Sequence, residues 1–159
     1  MTQTRKSEKG RLMKVPPPLV FFGALVIGVV LNLLWPLAIF AEAKIGDVLG
    51  LLAALGSGAF AIWAFRTMLR AGEQPDPREP TQAIVTDGPF ARTRNPLYLS
   101  FAIFDLGVAL LLNNLWIILA LVPLMVYIDI RIVRREERYL EQQIGDEYLE
   151  YKRSVRRWL

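Results

Sequence analysis

LYLSFAIFDLGVALLLNNLWIILALVPLMVYIDI, residues 97–130, decides the fold. These 34 residues carry only two charges, Asp105 and Asp129. At about 1.5 Å per residue, one helix of that length would run roughly 50 Å, far beyond a hydrocarbon core of about 30 Å. Asn113-Asn114 lies at the middle and reads as a turn, because Asn tolerates left-handed backbone and hydrogen-bonds its own chain. The stretch is therefore expected to be a helical hairpin, with arms over 97–112 and 115–131. Both arms are short for a full crossing, and Pro123 is a candidate kink in the second. Asp105 sits inside the hairpin, where an acid is a functional candidate by default. Pairing with another helix is the structural alternative.

Two further apolar runs precede the hairpin. Residues 19–40 contain no charge and are long enough to cross a bilayer; Pro16-Pro17-Pro18 starts the helix. The run is too long for a signal-peptide core and reads as an uncleaved span. Asn32 within it is expected to glue helices together. Residues 46–69 form the second span, in which Gly50, Gly56, Ser57 and Gly58 permit close packing. Residues 71–96 are a connection with five prolines, the last at its end, and loops of that length tend to be functional. Beyond the hairpin, residues 132–154 continue as charged helix. Gly145 is placed to end one helix and Asp146 to cap the next.

The resulting expectation is an all-α integral membrane protein of four transmembrane helices with a C-terminal helical extension. Residues 1–18 form a basic tail and residues 19–159 a single domain. The chain is 53% hydrophobic and 21% charged, and the two kinds of residue fall in separate blocks, as in membrane proteins. Nineteen Lys and Arg give a net charge of +4. They flank apolar runs, which points to anionic lipid and topology and away from nucleic acid. Eighteen of them lie in the tail, near the long loop or after Ile130, and Lys44 alone lies in the short connections. The positive-inside rule then puts both termini and the long loop in the cytoplasm, with the cell (inner) membrane as the expected location. No obligate protein partner is evident.

The sequence contains no Cys and no His. That excludes a disulfide framework, thiolate zinc sites, a Cys nucleophile and a His general base. Chemistry falls to carboxylates, Arg, Lys, Tyr, amides or a cofactor.

Helices pack with axes about 8–10 Å apart, so the hairpin returns the chain to the face it left. VTDGPFARTRNPLY (85–98) and REERYLEQQIGDEY (135–148) therefore become neighbours. Together they offer Phe90 and Tyr98, the carboxylates of Glu136 and Glu137, and a guanidinium cluster, half in water and half in lipid. Such a site suits a reaction between a water-soluble cofactor and a lipid-dissolved substrate. Carboxylates and aromatic faces attract a cation or bond a ribose, and Arg holds a carboxylate or phosphate. The plain alternative pairs Glu136 and Glu137 with Arg134, Arg135 or Arg138 on a solvated helix, and makes Tyr98 an interfacial belt residue.

These stretches resemble the isoprenylcysteine carboxyl methyltransferase and phospholipid N-methyltransferase superfamily of membrane enzymes. The matching motifs are Val85-Thr86-Asp87-Gly88-Pro89-Phe90, Arg94-Asn95-Pro96-Leu97-Tyr98, Glu136-Glu137-Arg138-Tyr139-Leu140, Ile144-Gly145-Asp146-Glu147-Tyr148-Leu149-Glu150-Tyr151 and Val155-Arg156-Arg157, in order around an apolar hairpin. The resemblance covers about half the chain, from Thr81 onward. It implies S-adenosylmethionine as cofactor, held by Gln82, Ile84, Val85, Phe90, Asn95, Pro96, Leu97, Tyr98 and Glu136. It implies an Arg that meets the substrate, with Arg131 and Arg134 as candidates and Arg135 a lesser one. Glu136 or Glu137 is the implied catalytic proton acceptor if the methyl acceptor is an amine; a carboxylate acceptor needs no base, and no metal is required. An isoprenylcysteine carboxylate, an ethanolamine lipid and other lipophilic molecules all fit. Asn95 stands where the better-known members have His, and Ser100 replaces a frequent Gly. The weaker readings are a non-enzymatic membrane protein retaining the fold and an NADPH-dependent, sterol-reductase-like enzyme.

Overall fold

The computed structural model describes residues 16–42, 44–73 and 84–159, which are all-helical. The α-helices are α1 (Pro17–Leu34), α2 (Lys44–Arg70), α3 (Pro96–Leu111), α4 (Leu115–Tyr127), α5 (Arg134–Ile144) and α6 (Asp146–Ser154). A 3-10 turn, Gly88–Ala91, precedes α3, and a π-helical turn, Ile128–Val133, joins α4 to α5. Among the described residues, α1, α2 and the continuous run Leu115–Ile144 are long and apolar enough to cross a membrane. The fourth expected span, α3, is apolar but has 16 residues, about 24 Å of helix and short of the core thickness. Three long helices and one short arm thus stand where four spans were expected. Phe22, Leu33, Leu52 and Leu55 on the outer faces are each more than half exposed. Apolar surface of this kind on long apolar helices marks a membrane protein.

The first span ends six residues early. Pro36 lacks the N–H a helix needs and drives Trp35 out of helical backbone, to φ −139° and ψ 88°. The Asn32 side chain then accepts a hydrogen bond from Leu37 N at 3.0 Å. Asn32 closes the end of its own helix; it is not the interhelical glue expected of it.

Glycines set the packing of α2 on α3. A Cβ on Gly50 would lie 2.7 Å from Gly107 O, one on Gly107 2.8 Å from Ala54 N, and one on Gly46 2.8 Å from Leu110 O. Backbone touches backbone along this seam. Gly28 does the same for α1 against Ile117 of α4, where a Cβ would meet Cγ1 at 2.6 Å. The expectation fails for Gly56 and Gly58, which face nothing within 4 Å. Ser57 between them is buried, its hydroxyl donating to Ala54 O at 2.8 Å.

The hairpin turn falls at Asn113-Asn114, with Asn113 at φ 46°. Its tip does more than turn. Asn113 Oδ1 accepts from Ile39 N and Phe40 N, both at 2.9 Å, and its Nδ2 donates to Phe40 O at 3.0 Å. Asn114 caps α4 by accepting from Trp116 N at 3.0 Å and reaches across to Gly28 O at 3.2 Å. Trp116 Nε1 donates to Trp35 O at 2.7 Å. The loop after α1, whose backbone lost its helical partners at Pro36, is satisfied by the hairpin tip.

At the other end the helix after α4 continues, but not in simple register. Arg134 N reaches back five residues to Asp129 O, the wide turn of a π-bulge. Pro123 lies within α4, which runs through it. Gly145 ends α5 at φ 74°, as expected, its N–H donating to Glu141 O. Asp146 is the first residue of α6 and makes no cap; Gly145 holds the capping position.

Candidate active site at the base of the hairpin

The hairpin brings its two flanking stretches into contact. Tyr98 Oη donates to Glu136 Oε1 at 3.0 Å, and Arg94 Nη2 pairs with Glu137 Oε1 at 3.1 Å. Proline fixes both turns that place these groups. Pro89 opens the 3-10 turn, and Pro96 is the first residue of α3, where its missing N–H costs nothing. Gly88, at φ 58°, lets the turn settle on α2, since a Cβ there would stand 3.0 Å from Thr67 Oγ1. Asn95 and Tyr98 are thereby held at the head of α3, both buried. Tyr98 belongs to the core cluster with Phe21, Leu121, Ile128, Ile132 and Val133, so it is not an interfacial belt residue.

Glu137 is the electrostatic centre. Only 4% exposed, it meets Arg94, Arg157 (Nη2 to Oε2 2.7 Å, Nε to Oε1 2.9 Å) and Lys152 (3.7 Å). Local pairing along a solvated helix is therefore not what it does. Arg134 instead reaches Asp129 at 3.3 Å, and Arg138 Nε donates to Arg134 O. Burial by itself would raise the Glu137 carboxyl; the Arg157 hydrogen bonds and the charges of Arg94, Arg157 and Lys152 overcome it and hold it below its ordinary value. The same hydrogen bonds push the Arg157 guanidinium up. Burial raises the Tyr151 phenol to about 12, and its hydroxyl donates to Phe90 O at 2.7 Å.

The last residues of the sequence complete the cluster. Arg94 N donates to Arg156 O at 3.0 Å; Thr93 Oγ1 and Asn95 Nδ2 donate to Arg157 O at 3.1 and 2.9 Å. Arg157 Nη1 also reaches Asp129 at 3.2 Å, and Trp158 Nε1 donates to Asp129 Oδ1 at 2.9 Å. Asn95 thus spends its amide donor on the chain itself, which a neutral, non-titrating side chain does at any pH.

Of the expected cofactor residues, Asn95, Pro96, Leu97, Tyr98 and Glu136 gather here, with Phe90 alongside and Ile84 and Val85 half-buried in the approach. Gln82 lies outside the described residues. Arg131, Arg134 and Arg135 are exposed, and Arg134 touches the cluster through Asp129 at its edge. Four residues of the cluster escaped the sequence reading as site residues: Arg94, Asp129, Arg157 and Trp158. Arg94 and Arg157 stood inside quoted motifs, and Asp129 was conspicuous as an acid ending an apolar run. Arg94 is distinctive in one more respect. Its Nε and Nη1 are buried without a hydrogen-bond partner among the described residues.

Comparison with known proteins bears on the same region. A family model described as phospholipid methyltransferase matches residues 45–147, from the start of α2 into α6. An uncharacterized protein of Haemophilus influenzae is 41% identical over 63 residues, 40% of this chain and the whole of that protein. The protein-S-isoprenylcysteine O-methyltransferase of Schizosaccharomyces pombe is 33% identical over 78 residues, 49% of this chain and 33% of that enzyme. No solved structure matches the chain.

Proposed function

The chain belongs to the phospholipid methyltransferase family, and we propose that it moves a methyl group from S-adenosylmethionine to a lipophilic acceptor at the cytoplasmic face of the cell membrane. Membership makes it a membrane methyltransferase; the donor, the acceptor class and the orientation are our reading. The observation that carries the reading is the Tyr98–Glu136 hydrogen bond, which joins the two motif stretches across 38 residues of sequence at one end of the apolar helices. Eighteen of nineteen cationic residues lie in segments assigned to the same side, which supports a cytoplasmic site and cytoplasmic termini.

The side chains present suit such a donor. Glu136 offers a carboxylate to ribose hydroxyls or an amino group, and the unpartnered Nε and Nη1 of Arg94 suit the carboxylate of its amino-acid end. When bound, the donor supplies a methyl already activated by its sulfonium. The chain's contribution is alignment and exclusion of water. Tyr98 fixes the Glu136 carboxylate from one side. Glu137, committed to Arg94, Arg157 and Lys152, positions those cations and is unsuited to act as base. Glu136, held by Tyr98 where the two motif stretches meet, is the group we assign to take a proton from an amine acceptor; a carboxylate acceptor needs none.

Isothermal titration of the detergent-purified protein with S-adenosylhomocysteine tests the proposal without knowledge of the acceptor. Binding by the wild type, lost in Glu136→Ala at unchanged folding, is the expected result. A folded wild type that does not bind, or a Glu136→Ala protein that binds as well as wild type, overturns it.

A further inference from the structure

Beside the hairpin base, α1, α2 and α3 line a cleft of about 330 Å³. Four phenylalanines, Phe21, Phe22, Phe101 and Phe104, line it, with Ser57 and Asp105 among them. Phe22 is 62% and Phe104 43% exposed, so the cleft opens between helices toward the surrounding lipid. Its size falls at the lower end of ligand pockets, about 300–1,000 Å³. Asp105 is 1% exposed, and its Oδ2 has no hydrogen-bond partner among the described residues. The hydroxyls of Ser57 and Ser100 on the same wall are already committed to Ala54 O and Leu97 O. Those two hydroxyls have given their protons away, and Asp105 is the cleft residue with a buried polar atom left unpartnered among the described residues.

Its chemistry selects what can bind. No Lys or Arg lines the cleft, so a phosphate or carboxylate would bring an unpaired charge beside a carboxyl in an apolar wall. An ammonium would force a buried ion pair, whose desolvation offsets its attraction. A hydroxyl can both give a bond to and accept one from the carboxyl group, and it brings no charge of its own into the apolar wall. We infer that the cleft between α1, α2 and α3 is a binding site for an uncharged lipophile carrying a hydroxyl group, with Asp105 as its polar contact. The site stands on the cleft and its carboxyl, apart from the methyl-transfer reading.

The test uses the full chain in lipid nanodiscs and a dodecan-1-ol carrying a chain diazirine, with crosslinks mapped by mass spectrometry. Crosslinks are expected on the α1, α2 and α3 residues of the cleft. Unlabelled dodecan-1-ol should displace the probe at about tenfold lower membrane fraction than dodecane, dodecylamine or dodecanoic acid, the worth of roughly one good hydrogen bond. Asp105→Leu should erase the preference for alcohol over alkane, and Asp105→Asn, which keeps a donor and an acceptor, should retain most of it. Crosslinks elsewhere, an amine, acid or alkane competing as well as the alcohol, or wild-type preference in Asp105→Leu overturns the inference. Titration with S-adenosylhomocysteine on the same Asp105→Leu protein reads the cofactor site separately.

Discussion

Replacing Glu137 by alanine takes one carboxylate from three cations. Arg94 loses its ion pair with Glu137, and its side chain is only 8% exposed. Arg157 keeps Asp129, and Lys152 keeps Glu141 at 2.6 Å. The damage therefore concentrates on Arg94, left charged and buried with no ion pair among the described residues. Breaking a buried pair by removing one partner costs about 3–5 kcal/mol. For a chain of this length, each kcal/mol is worth about 2–4 °C in melting temperature, so the variant should melt about 6–20 °C below wild type. The assay is thermal unfolding in detergent followed by intrinsic fluorescence. Arg138→Ala, on the exposed face of α5, should shift the midpoint by no more than about 1–2 °C. Adding Arg94→Met to Glu137→Ala should recover part of the loss, because the orphaned charge is gone; the two changes should miss additivity by about 0.5–3 kcal/mol. The Glu137 carboxyl is held below its usual value of 4.5, so its stabilisation is present above that pH and is lost as pH falls through the lower, folded value. Wild-type stability should then decline more steeply below about pH 4.5 than that of Glu137→Ala. A Glu137→Ala midpoint within about 2 °C of wild type refutes the assignment of Glu137 as the centre of the cluster.

Three further outcomes follow from the geometry. Tyr98→Phe removes a hydrogen bond to a carboxylate and should weaken S-adenosylhomocysteine binding about tenfold with folding intact, read by titration. Gly50→Ala sets a Cβ 2.7 Å from Gly107 O and should cost about 1–3 kcal/mol in thermal unfolding, whereas Gly56→Ala, with open space around it, should be neutral or stabilising by up to about 1 kcal/mol. Asn113→Ala gives up three hydrogen bonds to Ile39 and Phe40 and places a Cβ-bearing residue less tolerant of φ 46° at the turn; a loss of about 2–3 kcal/mol is expected by the same measurement.

The hairpin was legible because apolar length and a bilayer's thickness are both one-dimensional quantities, and Asn113-Asn114 could be weighed against them. The meeting of Tyr98 with the Glu136 segment follows from that alone. Helix ends were less legible where two signals competed: the apolar run continues to Phe40, but Pro36 had already ended the helix. The failure at Gly56 and Gly58 has a similar cause, since small residues permit a close approach without saying which face has a neighbour; Gly46 and Gly50 point at α3, and Gly56 and Gly58 do not. Most of what was missed is pairing at long range. Nothing local distinguishes Arg157 from Arg156, yet one enters the cluster with Glu137 and the other stays exposed. The π turn at Ile128–Val133 was hidden for another reason, because it holds no Gly or Pro to mark a change in the helix, and tertiary contacts decide the phase at which α5 must present Glu136 and Glu137.

The stitching of Thr93, Arg94 and Asn95 to Arg156 and Arg157 sets an order of events during synthesis. The turn that heads α3 is translated about sixty residues before the carbonyls that accept its hydrogen bonds. At roughly 5–20 residues per second, the nascent chain waits about 3–12 s with that turn unanchored while both arms of the hairpin enter the bilayer. The hairpin and the polar cluster at its base are therefore separate in time: the helical half takes shape first, and the cluster of Arg94, Glu137 and Arg157 closes only when the Arg156–Trp158 stretch has been made and folded back.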